Sequence, residues 1–204
     1  TEYDEYLTKG EVKEYLINNT FPTTPDILPK HLQNASPEVF KIRLTLATTL
    51  SSVYGMYSGY ELCENIPVGP RDELMNSEKY EFVTRNFNDP ISIAPYVTSL
   101  NKIRKENPAL QKNDSLRFHE INNDKILCYS KYVEGNLLLI YVNLDPENTQ
   151  SGVSQIPMAE LGIEDNALYH VHDLLTDRVY DWSGDHNYVE MNPQNQVAHV
   201  FRVF

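Results

Sequence analysis

The sequence predicts an α/β segment followed by an all-β sandwich, divided near residue 110. Two segments, 36–52 and about 91–106, repeat their apolar residues at helical period, with an aromatic, glycine-bearing stretch between them. From residue 114 onward the chain runs in short apolar–polar alternations separated by turn residues. The change of character falls at Asn107-Pro108, because a residue before proline resists the helical region. The expected units are therefore 1–110 and 111–204.

Each element has its own reason. In "SPEVFKIRLTLATTLSS", Ser36 suits an N-cap, Pro37 the first helical position and Glu38 the positive end of the helix dipole. Phe40, Leu44 and Ala47 then recur along one face, which Ile42, Leu46 and Leu50 widen. A face that wide is expected to be buried on more than one side. "VYGMYSGYE" reads as a short buried strand, and a polar loop over roughly 62–90 follows it. The second helix carries Ile93, Val97, Leu100 and Ile103 on one stripe. Helix, strand, loop and helix in this order are those of α/β units, whose functional residues sit in the loops after strands.

Beyond 114, "KILCYSKYV" alternates, and "LLLIYV" at 137–142 is continuous enough for a central strand. "DRVYDW", "NYVEMN" and "QVAHVFRVF" complete the series, with turns at "NND", "EGN" and "SGDHN".

Composition removes several function classes. Seventeen basic against 29 acidic residues give a net charge of −12, and the densest basic cluster, "NKIRKE", reads as a solvated helix face. Nucleic acid and anionic membrane surfaces are therefore not expected partners. The longest apolar run is far too short to span a bilayer. "TEYDEYLTKGEVKEYL" offers neither a basic nor an apolar signal region, so a cytoplasmic location is expected. Cys63 and Cys128 stand in no metal-binding spacing and read as two buried, reduced thiols. No glycine-rich phosphate cradle and no nucleophile elbow occurs, and no cofactor is expected.

"TTPDILP", "GMYSGYELCEN", "NSEKYE", "NKIRKENPAL" and "VNLDP", in that order, resemble successive motifs of the α-amylase superfamily, glycoside hydrolase family 13. More narrowly they resemble the maltosyltransferases that extend α-1,4-glucans from maltose 1-phosphate. The resemblance covers essentially the whole chain. It implies the last two β/α units of a (β/α)₈ barrel followed by a C-terminal antiparallel β-sandwich. It also implies that the catalytic nucleophile and acid/base lie outside this chain. Retaining glycosyl transfer needs both, about 5–5.5 Å apart. A third carboxylate, after barrel strand seven, stabilises the oxocarbenium-like transition state, and Asp26 falls at its place. Most hydrolases of the superfamily carry a His directly before this acid. Pro25 stands there instead, as in the maltosyltransferases, although Thr23 replaces a more usual Asn.

The resemblance further implies that Lys79 and Tyr80, with Asp72 or Glu73, hold the non-reducing end of the donor sugar. Lysine donates, carboxylates accept, and tyrosine stacks on a pyranose face. Without the resemblance, Asp26 is a turn residue and 71–81 a solvated charged loop. Glu61 and Glu64 read as structural ion-pair or hydrogen-bond partners. His170 and His172 read as strand histidines without a third metal ligand, and Trp182 as a core or rim residue. The alternatives are a fragment of an amylase-type hydrolase and a self-standing carbohydrate-binding sandwich. The broad apolar helix, which needs a larger mass to cover it, counts against the second. Two barrel units without the rest should expose strand edges and self-associate.

Overall fold

The computed structural model describes residues 11–76, 82–164 and 167–204. Its first half is built on a parallel pair, β1 (Asn19–Thr20) beside β2 (Val53–Tyr54), with Asn19 opposite Val53 and Thr20 opposite Tyr54. Parallel neighbours need a crossover, and α1 (Pro37–Leu50) supplies it. Ser36 occupies the N-cap position in extended conformation, but its hydroxyl makes no capping bond, so Pro37 alone marks the start. The broad buried face of α1 contains three threonines. Thr45, Thr48 and Thr49 return their hydroxyls to the carbonyls of Lys41, Leu44 and Thr45 at 2.8, 2.8 and 2.5 Å. Each buried hydroxyl is thereby satisfied within the helix itself.

The strand expected over "VYGMYSGYE" is only two residues long, and Val53 is 43% exposed. Its partner β1 ends at Thr20, and Pro22 has no N–H with which to prolong a ladder. Gly55 closes the pair by donating to the Thr20 carbonyl at 2.9 Å. There the Phe21 ring lies so near that a Cβ on Gly55 would stand 2.0 Å from it.

α2 (Ala94–Glu106) buries the expected stripe of Ile93, Val97, Leu100 and Ile103. Eight strands follow: β3 (Arg117–Ile121), β4 (Ile126–Val133), β5 (Asn136–Asn143), β6 (Gln150–Gln155), β7 (Leu168–Asp173), β8 (Arg178–Ser183), β9 (His186–Met191) and β10 (Ala198–Val203). They pair antiparallel in the order β8-β7-β10-β5-β4-β3-β6-β9. β3 is the seam of this sheet, pairing with β4 through residues 117–119 and with β6 through 120–121.

β5 is buried along its whole length. Leu137, Leu139 and Tyr141 face the sandwich interior with Tyr169 and Phe201, while Leu138, Ile140 and Val142 face the helices with Ile42, Ile103 and Leu110. A strand covered on both sides has no use for alternation. The same cover corrects the reading of β4 as simply alternating. Residues 128–131 are all buried, Lys131 among them.

The junction explains "RKENPAL". The Arg104 guanidinium donates to the carbonyls of Thr48, Ser51 and Ser52, closing the C-terminal end of α1, and lies 5.0 Å from the centre of the Tyr54 ring. Asn107 caps Ile103 at 2.8 Å and accepts from Asn136 at 2.9 Å, while Asn136 in turn receives the Ala109 N–H at 3.0 Å. Ala109 and Leu110 then enter the core shared by helices and sheet. "VNLDP" is likewise structural. Buried Asn143 donates to the carbonyls of Asn148 and Met191 and accepts from the Asp145 N–H. The backbone N–H of Glu147, with Asn148 and Gln150, holds the Asp145 carboxyl down at about 2.

Cys63 and Cys128 are free thiols in separate core clusters, and burial pushes each up to about 12. Among the described residues, no helix is long and apolar enough to cross a membrane.

Candidate functional site

Asp26 stands in a tight turn. Thr24 N–H donates to the Ile27 carbonyl at 3.1 Å and Ile27 N–H to the Thr24 carbonyl at 3.3 Å, leaving Pro25 and Asp26 at the tip. Proline fixes φ at the first tip position, and an acid is tolerated at the second. The turn is anchored on both sides, with Thr23 buried before it and Leu28 fully buried after it. Asp26 itself is exposed, and no hydrogen bond or ion pair of its carboxylate occurs among the described residues.

The loop after β2 braces this turn. It forms a small hairpin: Met75 N–H donates to the Ile66 carbonyl at 2.8 Å, and Val68 N–H to the Glu73 carbonyl at 2.9 Å. Leu74 plugs it into the cluster that holds Leu28, Leu32 and Phe40. At its tip, the Asp72 carbonyl accepts the Leu28 N–H at 2.6 Å. Gln33 Nε2 then bridges Asp72 Oδ1 at 3.0 Å and the Leu28 carbonyl at 3.1 Å. The Asp26 and Asp72 loops are thus hydrogen-bonded to each other. Glu73 sits beside them, 3.7 Å from Arg71 in an exposed pair that contributes little to stability. Lys79 and Tyr80 lie outside the described residues.

Gln33 has no sequence signature. It is one polar residue in "KHLQNAS", and its importance comes only from two acceptors that the fold brings together. The second supporting contact was half legible. Glu64 takes two bonds from Arg85, at 2.7 and 3.1 Å, and Glu61 accepts the Gly59 N–H at 3.0 Å. Both acids are structural partners, as read from their spacing, but Arg85 could not be named as the mate.

In the sandwich, His170 and His172 each meet a carboxylate across the β7–β8 hairpin, Asp181 and Asp177, both at 2.7 Å. Among the described residues no group of His, Cys, Asp and Glu is arranged to hold a metal ion. Trp182 is half-buried and packs edge-on against Tyr141, Tyr169 and Phe201, which is a core-rim position.

Residues 118–203 match the family model described as "GLGE, C-terminal". An α-1,4-glucan:maltose-1-phosphate maltosyltransferase 2 of Streptomyces coelicolor is 44% identical over 208 residues, covering 100% of this chain and 31% of that protein. Its counterpart in Picrophilus torridus is 42% identical and covers 95% of this chain and 32% of that protein. The chain thus spans about a third of the length of these curated relatives. Among solved structures, an α-amylase of Geobacillus thermoleovorans, complexed with acarbose, aligns over 92% of this chain and 39% of its own. Its TM-score is 0.65 at 18% identity. A maltogenic α-amylase of Thermotoga neapolitana aligns over 100% of this chain and 45% of its own, with TM-score 0.69 at 14% identity. These likenesses show the fold, a barrel remnant followed by the antiparallel C-terminal sandwich. By sequence, the chain is similar over nearly its whole length to about a third of these α-1,4-glucan:maltose-1-phosphate maltosyltransferases, and residues 118–203 match the C-terminal family model.

Proposed function

We propose that the chain is the C-terminal portion of a retaining glycosyltransferase. The parent protein moves maltosyl units from maltose 1-phosphate to the non-reducing end of α-1,4-glucans. The observation that supports this reading best is the Asp26 turn, an exposed carboxylate held in place by buried neighbours and by the Asp72 loop. A fixed acceptor of that kind grips sugar hydroxyls and gains strength as positive charge develops at the anomeric carbon. Asp26 is the transition-state stabiliser in this reading. Asp72 and Glu73, with Lys79 and Tyr80, hold the non-reducing end of the donor. The nucleophile and acid/base come from the upstream part of the parent, so this chain alone is inactive. Residues 1–110 complete the barrel, residues 111–204 form the sandwich, and the parent works in the cytoplasm without a cofactor.

The test uses the parent enzyme with and without Asp26→Asn, supplied with maltose 1-phosphate and a short maltooligosaccharide. Phosphate release is expected, with kcat about a hundredfold lower in the variant, the scale of losing one transition-state electrostatic contact. Starch hydrolysis without phosphate release would favour an amylase instead.

The separated chain should self-associate. Tyr15, Ile17, Phe21 and Val53 on and beside the two short strands are exposed, at 76, 61, 47 and 43%. Sedimentation of the isolated chain is expected to show concentration-dependent mass, and a monomer at all concentrations would refute it.

A further inference from the structure

The seam strand β3 leaves an open groove on the sandwich. Where it passes from β4 to β6, the two parts of the sheet part company, and a cavity of about 440 Å³ opens between β3, the end of β6 and the short helical turn Met158–Leu161. The size falls within the range of small-ligand sites.

Its wall is made of hydrogen-bonding groups. Arg117 and Glu160 close one end as an ion pair at 2.5 Å. Glu120 and Gln155 stand directly opposite each other across β3 and β6. Both are exposed, and neither side chain has a partner among the described residues. Asp185 lies at the far side, where one carboxylate oxygen takes the Met158 N–H at 3.0 Å. Phe118 and Pro157 add apolar surface.

Charge selects the ligand class. Three carboxylates, Glu120, Glu160 and Asp185, face one cation, Arg117, so the groove is net negative by 3 − 1 = 2 charges. Burial, with Arg117 beside it, holds His119 down at about 4, so this ring adds no positive charge at neutral pH. Phosphate and other anions are therefore repelled. A metal cation is not served either, because the acids form no metal-holding group among the described residues. A neutral ligand rich in hydroxyl groups fits this wall, where paired charges, a free amide and a free carboxylate offer both donors and acceptors. Phe118 and Pro157 suit the C–H faces of a pyranose.

We infer that this groove binds a neutral oligosaccharide, a segment of α-1,4-glucan held on the sandwich while the barrel works on the chain end. The choice of glucan rests on the proposed function, whereas the groove itself does not. The test is an amide NMR titration of the chain with maltoheptaose, and with cellohexaose as the competing saccharide. Maltoheptaose should shift the amides of 117–121 and 153–157 with Kd about 1 mM, equivalent to about −4 kcal/mol. The Glu120→Ala/Gln155→Ala double variant should bind at least about tenfold more weakly at an unchanged melting temperature, since both side chains are exposed. Asp26→Asn should leave these shifts untouched. No shifts, shifts confined to other residues, equal binding by the double variant, or preference for cellohexaose would overturn the inference. Phosphate release by the parent enzyme is a separate measurement, so a failed groove leaves the transferase reading standing, and the reverse also holds.

Discussion

Asp173→Ala should cost about 3–5 kcal/mol of folding stability, the scale of removing one partner from a buried charged network. Asp173 ends β7 with no exposed surface. Its carboxylate collects His199 Nδ1 at 2.9 Å, Gln196 Nε2 at 2.6 Å, Thr176 Oγ1 at 2.8 Å and the Leu175 N–H at 3.2 Å. These donors come from the turn after β7, the turn before β10 and β10 itself, so one side chain pins three segments. Alanine leaves all of them facing a small apolar group, with His199 only 7% exposed. The loss should appear as a lower denaturation midpoint at unchanged m-value. Burial alone would raise the Asp173 carboxyl, but the His199 bond and charge, with Gln196 and Thr176, hold it below the usual range. A carboxyl lower in the folded state stabilises fully above its unfolded value near 3.9, and this contribution fades as pH falls through the folded value. The stability gap between wild type and Asp173→Ala should therefore narrow in acid. A gap independent of pH would show that packing, not charge, holds the three segments.

Nothing in the sequence singles out Asp173, and the reason is general. "YHVHDLLTD" reads as a strand with histidines, yet the partners of Asp173 lie up to 27 residues away, where β10 returns beside β7. What was legible was local or periodic: the Pro37 start of α1, the stripe of α2, the stop at Asn107-Pro108 and the doubly covered β5. The polar strand β6, "QSGVSQ", offered no such signal, because its buried residues are Gly152 and Ser154 rather than a run of large apolar groups. The brace of the Asp26 turn had no sequence signal, because the Leu28–Asp72 bond is made by backbone groups common to nearly every residue.

The second large effect runs the other way. Lys131→Met should stabilise the fold by about 3 kcal/mol at neutral pH, the free energy that separates a lysine at 10.5 from one held at about 8. Lys131 has no exposed surface, and its Nζ has no hydrogen-bond partner among the described residues. Burial pushes its pKa down first, and the Arg104 cation adds to this, while Asp114 opposes. Two cations therefore share the junction between helices and sheet, where Arg104 has the carbonyls closing α1 but Lys131 has none. Methionine keeps the unbranched stem and removes the charge. The sign of the pH effect follows. Below about 8 the amine is charged in both states and the folded chain bears the full penalty. Between about 8 and 10.5 the unfolded chain binds more protons than the folded one, so this contribution to stability rises with pH. Cys63 and Cys128 act oppositely in part of that window, because burial keeps their thiols protonated to about 12 while the unfolded thiols ionise near 8.5. Only the difference between wild type and Lys131→Met isolates the amine. That difference should shrink from about 3 kcal/mol near pH 7 towards zero above pH 10. A constant difference would mean that methionine stabilises by packing, and a destabilised variant would mean that Lys131 finds a partner on the chain it was denied here.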